Sequence, residues 1–214
     1  MPSNSIETYN RLSGDLDTLL KLHPNAENPG PGRPTGDTGP LLRAGIVLLV
    51  TAWENYVEQV AAEAFSRIRP IVLTDRAKLS SHLDTAVRAA AKKDPWSVTG
   101  VGWERVVDAE VETLISDLNN ASSGQVDGLF SKALAIGDCI DGVTWRGKTA
   151  GKVRSDLKDL VDLRGEIVHK GQTYSSLDLD GVKSWRNFVD RCVPAFDAML
   201  ANELTSRYGI ERPW

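Results

Sequence analysis

The 214-residue chain is predicted to be an all-α protein, a bundle of about five to seven helices. Apolar residues recur mainly at spacings of three and four, and no segment keeps a period of two between turn signals. Apolar residues make up 41% of the chain and charged residues 25%, which is typical of a globular domain with a buried core. The stretch NAENPGPGRPTGDTGP after the first helix is almost free of apolar residues and is predicted to be a mobile loop.

The second helix is the most apolar, so it is expected at the centre of the bundle and is expected to end at Pro70. The last helix carries Pro194 as a predicted kink. The predicted helices cover about 4–21, 40–68, 75–93, 103–118, 124–136, 150–170 and 176–207. The chain is accordingly divided into 1–39, the first helix with the Pro/Gly-rich loop, and 40–210, a helical domain expected to form one compact unit with that helix.

Composition excludes several classes of protein. The net charge of −4 provides no overall positive field, so any site for a polyanion must be a local concentration of basic residues. Cys139 and Cys192 have no zinc-ligand spacing and are interpreted as reduced structural thiols of a cytoplasmic protein. The N-terminus lacks a signal-peptide pattern, and the longest apolar run, AGIVLLVTAW, is about half of a membrane span. No motif indicates a metal or another cofactor.

The segment DLRGEIVHKG, residues 162–171, places an arginine and a histidine on one predicted helix. At 100° per residue, Arg164 lies inside the apolar face of this helix and His169 lies on the opposite side. A guanidinium in that face must be paired or must open onto a cavity or interface, because a buried unpaired charge is costly. Glu54 and Glu58 of the second helix are candidate partners, and Glu54 is the better placed. The structural alternatives are a buried ion pair without a catalytic role and an arginine at the end of the apolar stripe whose long side chain reaches water.

The sequence leaves the roles of two further residues of this helix open. His169 precedes Gly171, which is expected to end the helix, so it is either a surface cation that complements the helix dipole or a general acid–base group. Gly165 in mid-helix costs about 1 kcal/mol relative to alanine. A close approach by a partner helix or a ligand phosphate would account for it.

A run of positive charge precedes the helix that holds Arg164. Five basic residues stand between 146 and 158 with only Asp156 against them: Arg146, Lys148, Lys152, Arg154 and Lys158. Such a run is either a solvated face or a contact surface for a polyanion. The adjacent Trp145 either anchors the loop in the core or stacks on an exposed base.

The segment LVDLRGEIVHKG, with its Arg-x4-His spacing, resembles the signature of HEPN domains (higher eukaryotes and prokaryotes nucleotide-binding). The segments LLVTAWENYVEQ and DGVTWRG are similar to the RiboL-PSP-HEPN branch, and the resemblance covers about 40–210. It implies a bundle of four or five helices that is often dimeric. Many members are metal-independent endoribonucleases, and several are toxins in toxin–antitoxin, abortive-infection or CRISPR-linked defence.

The resemblance also implies roles for residues of this chain. Arg164 and His169 would be catalytic, facing their counterparts in a cleft of a homodimer that cleaves RNA without a metal or cofactor. Supporting positions would be Glu54, Gly165 and Glu166, and RNA contacts would come from Arg146, Lys148, Lys152, Arg154 and Lys170. An antitoxin or another regulatory protein would be a further partner, and no membrane would be involved.

Gly165 departs from the family pattern, since members commonly carry a polar residue, often asparagine, directly after the motif arginine. A second hypothesis is therefore a catalytically inactive HEPN module that binds RNA, nucleotide or a partner protein. A third is an all-α scaffold in which the motif match is accidental.

Overall fold

The computed structural model describes residues 2–24, 37–171 and 177–214, and within these ranges it has no β-strand. Three short 3₁₀-helices, at Arg76–Lys78, Pro95–Val98 and Cys139–Gly142, stand between longer helices. The seven α-helices of the described residues are α1 (Ser5–Lys21), α2 (Gly39–Thr74), α3 (Ser81–Lys93), α4 (Gly102–Ser116), α5 (Ser123–Leu134), α6 (Ala150–Lys170) and α7 (Leu179–Tyr208). The predicted all-α fold and its number of helices are confirmed.

The end of α2 and the start of α3 differ from the sequence-based expectation. The prediction that Pro70 ends α2 is wrong, because the helix continues through Pro70 to Thr74. Ile68 and Val72 are buried on either side of the proline, so core packing offsets the missing backbone donor. The helix predicted from 75 begins only at Ser81, since the Ser80 hydroxyl accepts a hydrogen bond from the backbone N–H of Leu83 and caps α3 there.

Two predicted features fall partly outside the described residues. These are the Pro/Gly-rich loop, of which 25–36 are not described, and the segment 172–176 before α7. The last helix, expected from 176, begins at Leu179, where the Asp178 carboxylate accepts a hydrogen bond from the backbone N–H of Gly181 at 2.7 Å. The division of the chain at 39/40 stays a prediction.

Helix α2 is central, as its composition predicted. It packs against five other helices, namely α1, α4, α5, α6 and α7. Its buried face contributes Trp53 and Tyr56 to an aromatic cluster with Phe130 of α5 and Phe196 of α7, with ring centroids between 5.1 and 6.3 Å apart. Burial of these large rings is a major source of the stability of the bundle.

The contacts of α2 fix the orientation of α6. Gly45 near the start of α2 lies against Val182 near the start of α7, and the Tyr56 hydroxyl lies 3.4 Å from the carbonyl oxygen of Val193. Helices α2 and α7 are therefore parallel. Because α6 ends only a few residues before α7 begins, its C-terminal half lies beside the N-terminal half of α2, where Glu54 is placed.

Candidate functional site

Helix α6 carries the Arg-x4-His motif and has well-defined ends. The Thr149 hydroxyl accepts a hydrogen bond from the backbone N–H of Lys152, and Gly171 ends the helix with φ of +67° while its N–H donates to the carbonyl of Ile167 at 3.0 Å. The predicted helix 150–170 coincides with the observed one. Arg164 and His169 therefore belong to one continuous helix.

Arg164 contacts the carboxylate that the helical wheel indicated. Its Nη2 lies 3.8 Å from Oε2 of Glu54, and the side chains of Arg164 and Glu54 are 28% and 13% exposed. Neither Nε of Arg164 nor Oε1 of Glu54 has a hydrogen-bond partner within the described residues, although both atoms are buried. The pair thus holds the guanidinium in place and leaves part of its hydrogen-bonding capacity unused.

Glu54 lies in an environment that disfavours its charge. Burial raises the pKa of this carboxyl group, and the nearby Glu58 carboxylate adds to the rise. The Arg164 guanidinium and the backbone amide of Ala121 lower the pKa by less. Burial also raises the pKa of Glu58. The Trp53 indole donates a hydrogen bond to the carbonyl oxygen of Ala121 at 2.8 Å, which fixes the segment after α4 beside this carboxylate.

His169 lies in the last turn of α6 and is exposed. Among the described residues, no hydrogen bond or ion pair joins it to Arg164. The preceding residue, Val168, is 53% exposed, which is unusual for an apolar side chain beside polar motif residues. Lys170 is exposed at the same helix end, and Glu166 is partly buried one turn before it.

Gly165 is not packed against any described part of the chain. A Cβ atom built on it meets no atom within 4 Å among the described residues. The close approach that would explain a mid-helix glycine is therefore not supplied by the described fold itself. The described fold therefore leaves room for a Cβ atom at this position.

The basic run before the motif is largely paired with carboxylates. Lys148 and Lys152 both contact the buried Asp156, with Nζ of Lys152 2.8 Å from its Oδ1. Arg154 lies 2.6 Å from carboxylate oxygens of both Asp127 and Asp141. The expected concentration of positive charge is thus mostly neutralised within the fold.

Among the cations expected to contact RNA, Arg146 is exposed and forms no ion pair with the described residues. The sequence analysis missed Asp127 and Asp141, since neither lies at helical spacing from Arg154. Asp156 could have been found from its position four residues after Lys152. Trp145 packs against Phe188 with ring centroids 6.1 Å apart, so it anchors the loop in the core.

No helix of the described chain combines the length and hydropathy needed to cross a bilayer. The described residues also contain no group of three or more His, Cys, Asp or Glu side chains placed to hold a metal ion. Cys139 and Cys192 are both buried and unpaired.

Among the described residues, the helices packed around the central α2 define an all-α bundle. The family model for RiboL-PSP-HEPN matches residues 10–202. The chain therefore belongs to the RiboL-PSP-HEPN family, and the match extends beyond 40–210 into α1. No curated protein and no solved structure matches the chain.

Proposed function

We propose that this chain is a metal-independent endoribonuclease that acts as a homodimer, with Arg164 and His169 as its catalytic residues. The proposal rests on the environment of the Arg164 guanidinium. This guanidinium is held beside Glu54 with a buried Nε that has no partner among the described residues. The same helix presents an exposed histidine one turn further on. A positioned guanidinium with free donors suits a phosphate oxygen.

The proposed reaction is attack of a ribose 2′-oxygen on the adjacent phosphorus atom. One imidazole accepts the 2′-hydroxyl proton, the bond from phosphorus to the 5′-oxygen breaks, and a second imidazole protonates the departing 5′-oxygen. The products are a 2′,3′-cyclic phosphate and a 5′-hydroxyl. Arg164 stabilises the negative charge that accumulates on the phosphoryl oxygens in the transition state.

The homodimer supplies what one chain lacks. A single His169 cannot be base and acid within the same step, whereas a twofold axis brings two copies to one cleft. The wheel places Arg164 and His169 about 140° apart at 100° per residue, which suits a cleft between subunits better than the groove of one helix. The exposed Val168 gives the end of α6 apolar surface that a second copy would bury.

Within this proposal, RNA contacts come first from Arg146, because the other cations of the run are paired. A phosphate could be contacted by Lys148, Lys152 or Arg154 only while each stays paired with its carboxylate. Lys170 extends the surface beside His169. Glu54 positions Arg164, and Glu166 supports the same helix. The two free thiols fit a reducing compartment, so we place the enzyme in the cytoplasm. There it acts as a toxin or defence effector held in check by a regulatory protein.

The test is cleavage of a mixed pool of structured and single-stranded RNA in the presence of EDTA. Wild type, Arg164→Gln and His169→Ala are compared, with Lys132→Ala, an exposed residue of α5, as the matched control. Folding and dimer mass are measured for each variant. Cleavage by wild type and the control alone supports the proposal, whereas cleavage by all four proteins contradicts it. Growth arrest on expression that depends on His169 would support the effector role.

Gly165 favours a second candidate, a catalytically inactive module that binds RNA, nucleotide or a partner protein. The family pattern has a polar residue at this position, and the fold leaves room for one. Absence of cleavage by a well-folded wild-type dimer would support this candidate. Gain of cleavage in Gly165→Asn would then identify the missing side chain as the reason.

A further inference from the structure

The link between α3 and α4, residues 94–101, forms a corner that exposes a tryptophan to solvent. Trp96 is 81% exposed, whereas Trp53 is fully buried and Trp103 is 7% exposed. Tryptophan offers a large apolar area and is seldom left in water without a partner. An indole held outside the core of a folded domain is therefore a candidate contact surface.

Hydrogen bonds hold this corner in one conformation. The Asp94 carboxylate accepts a hydrogen bond from the backbone N–H of Trp96 at 3.0 Å, and the Thr99 hydroxyl donates to the Trp96 carbonyl at 2.9 Å. The N–H of Gly102 donates to the Thr99 carbonyl at 2.8 Å. A Cβ atom on Gly102 would overlap the carbonyl oxygen of Ser97, so the closed corner requires glycine there. Trp96 is thus presented by a preorganised segment.

The surroundings of Trp96 are positively charged. Lys92 and Lys93 form the last turn of α3, and Arg105 lies in the first turn of α4. None of the three forms an ion pair with the described residues, and the adjacent Asp94 is occupied as a helix cap. This local excess of positive charge stands on a protein with a net charge of −4. A negatively charged partner is therefore favoured over a neutral or basic one.

The acidic residues of α4 nearest to this corner are occupied by a cation of α2. Arg69 lies 2.7 Å from a carboxylate oxygen of Asp108 and 3.6 Å from one of Glu104. Arg69 offsets one of these two negative charges, so the corner with Lys92, Lys93, Arg105 and Asp94 keeps a small positive excess.

We propose that this corner is a binding site for single-stranded RNA, in which the Trp96 indole stacks on a base and the Lys92 and Lys93 ammonium groups contact phosphates. An aromatic platform beside basic side chains is the combination that single-stranded nucleic acid requires. The proposal rests on the proposed function in taking RNA as the ligand. It adds a second contact, which would hold a strand that also enters the cleft.

The site is separate from the catalytic motif. Arg76, just after α2, lies over the Trp103 ring at 4.1 Å, so the start of α4 is at the C-terminal end of α2. Glu54 precedes that end by 20 residues, which at 1.5 Å per residue is about 30 Å. A nucleotide bound at Arg164 of the same chain therefore cannot also stack on Trp96.

The experiment measures binding of a labelled single-stranded RNA 12-mer by fluorescence anisotropy, in the His169→Ala full-length chain so that no cleavage occurs. Trp96→Ala is expected to weaken binding by at least about fivefold, the lower end for loss of one stacked base. Trp96→Phe should retain most of the affinity, because a flat ring remains. Val101→Ala, which removes a 57% exposed apolar side chain from the same corner, should not change binding.

The charge contribution is measured separately. Changing Lys92 and Lys93 together to glutamine should reduce the slope of log affinity against log salt by about 1.4, or about 0.7 per phosphate contact. The matched control changes Lys21 and Lys183, exposed lysines of α1 and α7, and should leave the slope unaltered. Thermal unfolding of each variant checks that the corner still folds.

Unchanged affinity in Trp96→Ala overturns the proposal, and so does an equal loss in Trp96→Ala and Val101→Ala, which would indicate an apolar docking surface. Failure of the proposed function is a different result. Wild type that cleaves no RNA but binds it through Trp96 would refute the nuclease and retain this site. If wild type cleaves RNA but binding does not depend on Trp96, the nuclease is retained and the Trp96 site is refuted.

Discussion

Arg164 and Glu54 form the longest ion pair among the described residues. Their nearest atoms, Nη2 and Oε2, are 3.8 Å apart, whereas Arg154 reaches Asp127 at 2.6 Å. Nε of Arg164 and Oε1 of Glu54 are both buried without a hydrogen-bond partner in the described residues. A buried polar atom in this state costs about 1–3 kcal/mol, so a ligand that satisfies Nε gains that much in return.

The first prediction concerns Glu54→Gln. The folded state raises the pKa of Glu54 above its ordinary value of 4.5, so the native state binds this proton more tightly than the unfolded state does. The corresponding stability is present below pH 4.5 and is lost as the pH rises through the raised pKa. Glutamine does not titrate, so the variant does not lose this stability. The free energy of unfolding of the variant minus that of wild type should therefore increase from pH 4.5 up to the raised pKa. Urea unfolding between pH 4 and pH 8 measures it.

The control is Glu112→Gln, which removes an exposed carboxylate of α4 and is measured over the same pH range. A flat difference for Glu54→Gln would mean that burial does not perturb Glu54. If Glu54 positions Arg164, the variant should also lose cleavage without losing the fold.

The second prediction compares two glycines of α6. A Cβ atom on either Gly151 or Gly165 meets no described atom within 4 Å, so each change to alanine should stabilise the helix by up to about 1 kcal/mol. Only Gly165 lies beside Arg164. Gly165→Ala should therefore alter RNA cleavage or dimerisation, and Gly151→Ala should alter neither. Equal activity of the two variants would show that nothing approaches Gly165 in the assembled enzyme.

The third prediction concerns Asp156→Asn. Burial disfavours the charge of Asp156, but the ammonium groups of Lys148 and Lys152 outweigh this and hold its pKa below 3.8. The change should cost about 2 kcal/mol at neutral pH, as expected for a hydrogen bond to a charged group. The cost should persist above pH 3.8 and disappear as the pH falls through the lowered pKa. The control at neutral pH is Asp159→Asn, which removes an exposed carboxylate of α6 and should cost little.

The fourth prediction concerns the thiols. Burial raises the pKa of Cys192 to about 12, and burial together with the Asp127 carboxylate raises the pKa of Cys139. Since the thiolate is the reactive form, neither residue should react with a disulfide reagent at pH 8 in the native protein. Both should react at once in urea. Rapid labelling without denaturant would reveal local opening around α7 or around the turn at Cys139.

Much of the site could be predicted from local sequence. Gly171 marks the end of α6 through its left-handed conformation, and the wheel placed Arg164 on the face that meets Glu54. Both inferences depend on residues within one or two turns of helix, where spacing determines geometry. The central position of α2 followed in the same way from its apolar composition.

Of the contacts between distant segments, the Arg164–Glu54 pair was predicted, and the other ion pairs of α6 with earlier segments were not. Arg154 pairs with Asp127 from α5, 27 residues earlier, and no spacing rule connects them. Pro70 did not end α2 because tertiary packing overrode a local signal. The exposure of Trp96 could not be predicted either, because helical periodicity does not extend to the short link in which it lies.

The length of α2 constrains how this chain can vary. One uninterrupted helix of about 54 Å holds Glu54 against Arg164 and Arg69 against Asp108. Inserting or deleting a single residue between positions 54 and 69 would turn one end by about 100° relative to the other, so both pairings could not survive. In an alignment of related chains, gaps are therefore expected in the connecting segments and not in this stretch. Its length fixes the relative orientation of the two ion pairs.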